Sequence, residues 1–316
     1  MSLFYDPSPA LVDKMLRVNF VIMDVDGTIV SADDQDALNV SQMLGRLDKA
    51  NIRWSFATGR SIGGLYSALP RILGIRRTRS FLPSLCYNGA VVFVPGDPAV
   101  LSITTMRVPD VHRIVEIGLS RNIPLSVYTC RSQLGSPVEA VHTNRDVELF
   151  KYDVNGMPYT RVNDWRQFDA TDTVAVLFEV DNSNTSKSDL ASLHESLGPS
   201  VRVTSSGGPY YEFSHSSVSK GTALVRMFDA VHDLGKRFDS WRKFEKLELD
   251  TTMAIGDNLN DQDMLTRALV GVAVANSRDE LKQAADIITS LPSGAGVVET
   301  LRLLLDVKKY RLDALF

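Results

Sequence analysis

Apolar positions along this chain fall into short unbroken runs that alternate with helical spacings. Phe20-Val21-Ile22-Met23 is a run of four, the pattern of a strand buried on both faces. Val40, Met43, Leu44 and Leu47 then recur three and four apart, which predicts a helix over 36–50. Ile52 to Ala57 reads as a second strand. Residues 61–73 read as a helix with Ser61 as its cap and a first turn weakened by Gly63 and Gly64. Leu85 to Tyr87 is a third short strand, and Ala90 to Val94 opens a hairpin. Strand, helix, strand, helix, strand is the order of a parallel sheet with crossover helices. It resumes late. Lys220 to Val231 carries Ala223, Leu224, Met227 and Phe228 on one side. Thr252 to Ile255, Gly271 to Val274 and Asp286 to Thr289 are three more strands, with helices beginning near Asp261 and Ser277.

The middle of the chain is patterned differently. Val111, Ile114 and Val115 predict a helix, Leu125 and Val127 an alternating strand, and Val174 to Val180 a strand. Leu190 to Leu197 predicts a helix and Val201 to Thr204 a strand. Gly207-Gly208-Pro209 reads as a turn. This mixture predicts an α+β unit inserted into the sheet domain, with boundaries near residues 91 and 212.

Candidate chemistry clusters where strands end. Asp24-Val25-Asp26-Gly27-Thr28 puts two acids at the mouth of an apolar strand, where an unpaired charge is costly. Thr58-Gly59-Arg60 ends a second strand, Ser219-Lys220-Gly221-Thr222 opens a late helix, and Gly256-Asp257-Asn258-Leu259-Asn260-Asp261 follows a third apolar run. A single Asp in such a place is as well explained by a helix cap or a solvated turn. Three acids, Asp24, Asp26 and Asp257, offer the hard oxygen ligands that Mg²⁺ prefers. Thr58 and Gly59 offer a hydroxyl and an N–H at a helix start, which suits phosphate. Lys220 offers a point charge for a phosphate or a transition state.

Composition narrows the classes. The 316 residues are 44% hydrophobic and 23% charged, with a net charge of −4, which fits a globular protein and argues against a nucleic-acid binder. The two cysteines, Cys86 and Cys130, read as reduced core residues. The first residues lack a basic-then-apolar signal pattern, and the Phe20 run is too short to span a bilayer, so cytoplasm is the expectation. The five histidines, His112, His142, His194, His215 and His232, have no zinc spacing. No GxxxxGK(S/T) loop, helix-opening GxGxxG or GxSxG elbow is present.

With these four motifs in this order, the chain resembles the haloacid dehalogenase-like hydrolases, and within them the Cof-type phosphatases, which carry a large cap between the second and third motifs. Tyr87-Asn88-Gly89-Ala90, Gly271 to Asn276 and Gly294-Ala295-Gly296-Val297 fit the same resemblance. Asn258 stands where the family usually has Gly, a residue type that tolerates unusual turn dihedrals, and Ala295 stands where an acid is frequent.

The resemblance implies an α/β fold. A Rossmann-like parallel-sheet core of residues 1–90 and 213–316 would carry an α+β cap of residues 91–212. It implies Asp24 as nucleophile and Asp26 as general acid/base, with Thr58 and Lys220 also catalytic. Val25, Thr58, Gly59, Lys220 and Asn260 would hold the phosphate. Mg²⁺ would be bound by Asp24, Asp26 (through its backbone carbonyl) and Asp257. Asp261 would support Lys220 or the waters of the metal, and Asn88 and Arg60 would support the site.

The expected activity is hydrolysis of a small phosphorylated metabolite, a sugar phosphate foremost, with no nucleic-acid or membrane partner. A phosphosugar mutase or phosphotransferase and a non-catalytic metabolite-binding regulator remain as alternatives. Tyr128, Arg131, His142, Arg145 and Tyr210 are the cap residues expected to read the leaving group, against the plain reading of each as a surface residue.

Overall fold

A computed structural model describes residues 7–30, 35–73, 82–95, 99–145, 157, 159–180, 197–205 and 210–313. The expected helix at 190–197 lies outside these except for its last residue, as does the turn at 207–209. The chain groups into two compact units. One comprises residues 1–57, 68–83 and 228–316, the other residues 58–67 and 84–227.

The first unit is built on a five-stranded sheet. Its order is Ile287–Ile288, Val270–Ala273, Thr252–Gly256, Phe20–Met23, Arg53–Phe56, with every neighbouring pair parallel. Phe20, Val21, Ile22 and Met23 are all inaccessible to water, as an unbroken apolar run in a sheet covered on both faces requires. The helix Gln35–Lys49 uses the predicted stripe, burying Val40, Met43, Leu44 and Leu47. Among the described residues, the short helix Asp239–Arg242 and two longer helices were not read from the spacing. One is Pro9–Arg17, capped by the Ser8 hydroxyl with Pro at its first position. The other is Ser293–Asp313.

The third expected strand does not extend the parallel sheet. Ser84–Cys86 pairs antiparallel with Val91–Val94, which pairs antiparallel with Ala99–Ile103. Tyr87, Asn88 and Gly89 have φ of 50°, 51° and 100°, three successive left-handed residues that turn the chain back on itself.

The second unit also contains a six-stranded sheet. Its order is Val201–Ser205, Tyr210–His215, Thr173–Glu179, Leu125–Gln133, Ser136–Thr143, Tyr159–Arg161, antiparallel except for its last pair. Leu134 and Gly135, both at positive φ, make the two-residue hairpin between Leu125–Gln133 and Ser136–Thr143. One face of this sheet packs under the helix Val108–Ser120. Val127, Val176 and Phe213 meet Val111, Ile114 and Val115 there in one core. Among the described residues no helix is long and apolar enough to cross a membrane.

Candidate active site

Register brings the first-unit acids together. Met23 pairs with Ile255, so Asp24 and, one residue past it, Asp257 leave neighbouring parallel strands at their carboxyl ends. The strand order reverses at this pair, the place where open α/β sheets bind ligands. The Asp24 N–H continues the ladder to the Ile255 carbonyl at 2.9 Å, and Asp24 is only 5% exposed.

Carboxylate oxygens of Asp24, Asp257 and Asp261 lie within 4.8 Å of one another. Three hard oxygen donors at that spacing fit a hard cation such as Mg²⁺. Asp261 is also committed to the turn. Its Oδ2 accepts the N–H groups of Asp257 at 2.9 Å and Asn258 at 3.0 Å, while Asp257 Oδ1 accepts the Thr28 hydroxyl at 3.0 Å. Asn258 has φ −126°, ordinary extended backbone, so its tolerance of unusual dihedrals is not called on. Its Oδ1 instead accepts the Leu259 N–H at 2.8 Å. Asn260 sits in the same single turn, Leu259–Asp261.

The Asp26 carboxylate is exposed and is not one of the three clustered acids. Its loop folds back through Val25, whose buried carbonyl accepts the N–H groups of Ile29 and Val30. Gly27 has φ +84°, and a Cβ there would stand 2.4 Å from Asp257 Oδ2, so only glycine lets the loop lie against that carboxylate. Asn276 ties the loop to a helix start. Its amide donates to the Gly27 carbonyl at 3.0 Å, and its Oδ1 accepts the Ser293 N–H at 2.7 Å.

The second unit holds the other motif residues. Thr58 is fully buried. Its N–H donates to Leu85 and its carbonyl accepts the Asn88 N–H, while its hydroxyl accepts the Arg60 N–H at 3.1 Å. Gly59 and Arg60 follow it in the turn, and the Arg60 guanidinium donates to the Gly64 carbonyl at 3.2 Å. The Asn88 amide donates to Glu212 Oε1 at 2.9 Å. Lys220 is fully buried at the start of Lys220–Arg237. Burial pushes the Glu212 carboxyl up to about 7, against the opposing pull of the Asn88 hydrogen bond and the Lys220 charge.

The six-stranded sheet separates the expected cap residues. Side chains alternate along a strand. Tyr128 lies opposite Val141, and Cys130 opposite Glu139, so these share the face turned away from the helix. Glu212 and Tyr210 belong to that face through the row Glu212, Leu177, Ser126. Arg131 and His142 fall on the helix side, where the His142 ring stands 4.9 Å from Phe168 and burial lowers its pKa. Arg145 forms an ion pair with Glu179.

Glu139 and Glu212 were not singled out by the residue pattern. For Glu212 the available signal was an acid between Tyr211 and Phe213 in a strand. Glu139 has no local signal, because its partners lie 52 and 77 positions away.

The model of the haloacid dehalogenase-like hydrolase family matches residues 21–301. Phosphatase YwpJ of Bacillus subtilis is 24% identical over 313 residues, covering 91% of this chain and 100% of that one. The crystal structure of a haloacid dehalogenase-like hydrolase from Bacteroides thetaiotaomicron superposes with a TM-score of 0.71 at 20% identity, over 91% and 99% of the two chains. The subclass IIB sugar phosphatase BT4131 does so with a TM-score of 0.66 at 18% identity, over 92% and 100%. At these identities the solved structures speak to the fold, and the family match spans both strand-end acids, the Thr58 turn and Lys220. The chain therefore belongs to the haloacid dehalogenase-like hydrolase family.

Proposed function

We propose that this protein is a Mg²⁺-dependent phosphatase of a small phosphorylated metabolite, a sugar phosphate foremost, acting through an aspartyl phosphate. The observation that carries this reading is the convergence of Asp24 and Asp257 at the ends of adjacent parallel strands, beside the Asp26 loop. The similarity to phosphatase YwpJ and to the sugar phosphatase BT4131 supports phosphate-ester hydrolysis, and that to BT4131 supports a sugar.

In this reading Asp24 attacks phosphorus through a carboxylate oxygen, and the ester P–O bond breaks. Asp26 gives its proton to the leaving alcohol oxygen. Asp26 then takes a proton from water, the resulting hydroxide displaces the phosphoryl group from Asp24, and inorganic phosphate leaves. The covalent route divides one hard displacement into two easier ones. Val25, Thr58, Gly59, Lys220 and Asn260 hold phosphoryl oxygens, with Asp261, Asn88 and Arg60 supporting. Mg²⁺, when bound by the Asp24 carboxylate, the Asp26 carbonyl and Asp257, supplies the positive charge that lets a phosphate approach an anion.

Residues 91–212 act as the cap on a core of 1–90 and 213–316. Contacts group 58–67, 84–90 and 213–227 with the inserted segment, and the hydrogen bonds of Glu139 and Glu212 give the physical reason. Cytoplasm is the proposed compartment, supported by two free, buried cysteines.

The deciding experiment is a panel of phosphorylated metabolites assayed with Mg²⁺ for release of inorganic phosphate. Stoichiometric release supports the phosphatase. Transfer of the phosphoryl group to a second sugar without release would replace it with a mutase or phosphotransferase, and no turnover across the panel would remove it.

A further inference from the structure

The helix Ile62–Leu73 opens immediately after the Thr58–Ser61 turn, with Gly63 and Gly64 in its first turn. Two glycines there weaken that turn relative to alanine. The first N–H groups of a helix have no partner within it. Ser61 Oγ accepts the Gly64 N–H at 2.9 Å, the ordinary local cap. The two N–H groups before it are taken by a distant side chain. Glu139 Oε1 accepts the Ile62 N–H at 3.0 Å, and Glu139 Oε2 accepts the Gly63 N–H at 3.0 Å. Glu139 is 77 positions from Ile62, on the strand Ser136–Thr143.

Tyr87 completes the arrangement. Its hydroxyl donates to the same Oε1, and its N–H donates to the Arg60 carbonyl at 2.9 Å. One side of the Thr58–Ser61 turn is therefore held by the main chain of Leu85 to Asn88. The other side is held by a carboxylate projecting from the six-stranded sheet. A carboxylate at a helix N-terminus also meets the favourable end of the helix dipole.

We propose that Glu139 is a positioning residue. Its bidentate hold on Ile62 and Gly63, shared with Tyr87, clamps the first turn of this helix and so sets the place of Thr58 and Gly59. The hairpin that carries Glu139 also carries Tyr128, whose ring stands 6.0 Å from that of Tyr87. The clamp thus couples the sheet face bearing Tyr128 to the turn that receives phosphate. Glu139 is half-buried, and burial raises its pKa while its three hydrogen bonds hold it down. The inference rests on the proposed phosphate-holding role of Thr58 and Gly59.

The test uses the full chain and the variants Glu139→Ala, Glu139→Gln, Glu139→Asp and Tyr87→Phe. Amide hydrogen exchange reads the clamp without reference to activity. Glu139→Ala should speed exchange at Ile62 and Gly63 roughly tenfold or more, with Phe20–Met23 unchanged. Hydrolysis of a small phosphate ester should fall roughly tenfold, in kcat more than in KM, because positioning is lost rather than bulk affinity. Glu139→Gln, which keeps an acceptor oxygen, should fall between wild type and Glu139→Ala. Glu139→Asp, too short to reach both amides, should not rescue.

Unchanged exchange at Ile62 and Gly63 overturns the clamp. Faster exchange with unaltered kinetics overturns its positioning role. If Glu139→Ala does not fold, Glu139→Gln and Tyr87→Phe are read by the same two measures. A wild-type protein that hydrolyses no phosphate ester would sink the phosphatase reading and with it the positioning role, and the exchange arm would still decide whether the clamp exists.

Discussion

The Asn88 amide donates to Glu212 Oε1 at 2.9 Å, and both residues are nearly closed to water, at 5% and 7% exposed. Asn88 holds φ 51° in the left-handed turn, and Glu212 sits 124 positions later on Tyr210–His215. A buried carboxylate raised from 4.5 to about 7 makes stability depend on pH. Between those values the folded chain keeps a proton that the unfolded chain has lost. The stabilisation is therefore complete below pH 4.5 and disappears as pH rises through 7. The gap corresponds to about 3 kcal/mol. Glu212→Gln keeps the Asn88 acceptor and cannot ionise. Its unfolding free energy relative to wild type should rise between pH 4 and pH 8 by up to that amount. An unchanged difference between the two urea unfolding midpoints at pH 4 and pH 8 would overturn the raised Glu212 pKa.

Asp24 and Asp26 should separate kinetically. Asp24→Asn should abolish turnover and leave no phosphoenzyme, with an unchanged circular-dichroism spectrum. Asp26→Asn should lose about 10²–10⁴-fold in rate, and more for esters with poor leaving groups than for good ones. Equal losses across leaving groups would argue against Asp26 as the acid.

Metal dependence should reside in the acid cluster. A chelator should remove activity and Mg²⁺ should restore it, whereas Ca²⁺, with looser and larger coordination, should inhibit. Asp257→Ala should raise the Mg²⁺ concentration needed without reordering substrates. Gly27→Ala places a Cβ 2.4 Å from Asp257 Oδ2 at φ +84°. It should weaken Mg²⁺ affinity roughly 10–100-fold, as losses in the support around a ligand do. Full activity in thoroughly demetallated protein would rule out this scheme.

The two faces of the six-stranded sheet should differ in their effect on substrate choice. Tyr128→Ala lies on the face shared with Glu139 and Glu212 and should change the order of kcat/KM among phosphate esters. Arg131→Ala and His142→Ala lie on the helix-packed face and should leave that order intact. Reordering by His142→Ala with none by Tyr128→Ala would assign specificity to the opposite face.

The sequence by itself determined the local elements and the chemical groups. The apolar run at Phe20–Met23 is a buried strand because four consecutive apolar side chains suit no half-solvated position, and Val40, Met43, Leu44 and Leu47 form a helix face by spacing alone. The order of the four motifs carried the resemblance to the family, and the match over residues 21–301 showed it.

What only the tertiary structure decided are relations between distant segments. Which strand lies beside Phe20–Met23 is a matter of sheet order, and that order put Asp24 next to Asp257. The Ser84–Cys86 strand left the parallel sheet because three left-handed residues reverse the chain after it. Arg131 and His142 were set apart from Tyr128 by the parity of the strand ladder, which is visible only once the register is known. Glu139 and Glu212 draw their significance from amides far away in the chain, and long-range hydrogen bonds leave no periodic trace in a sequence.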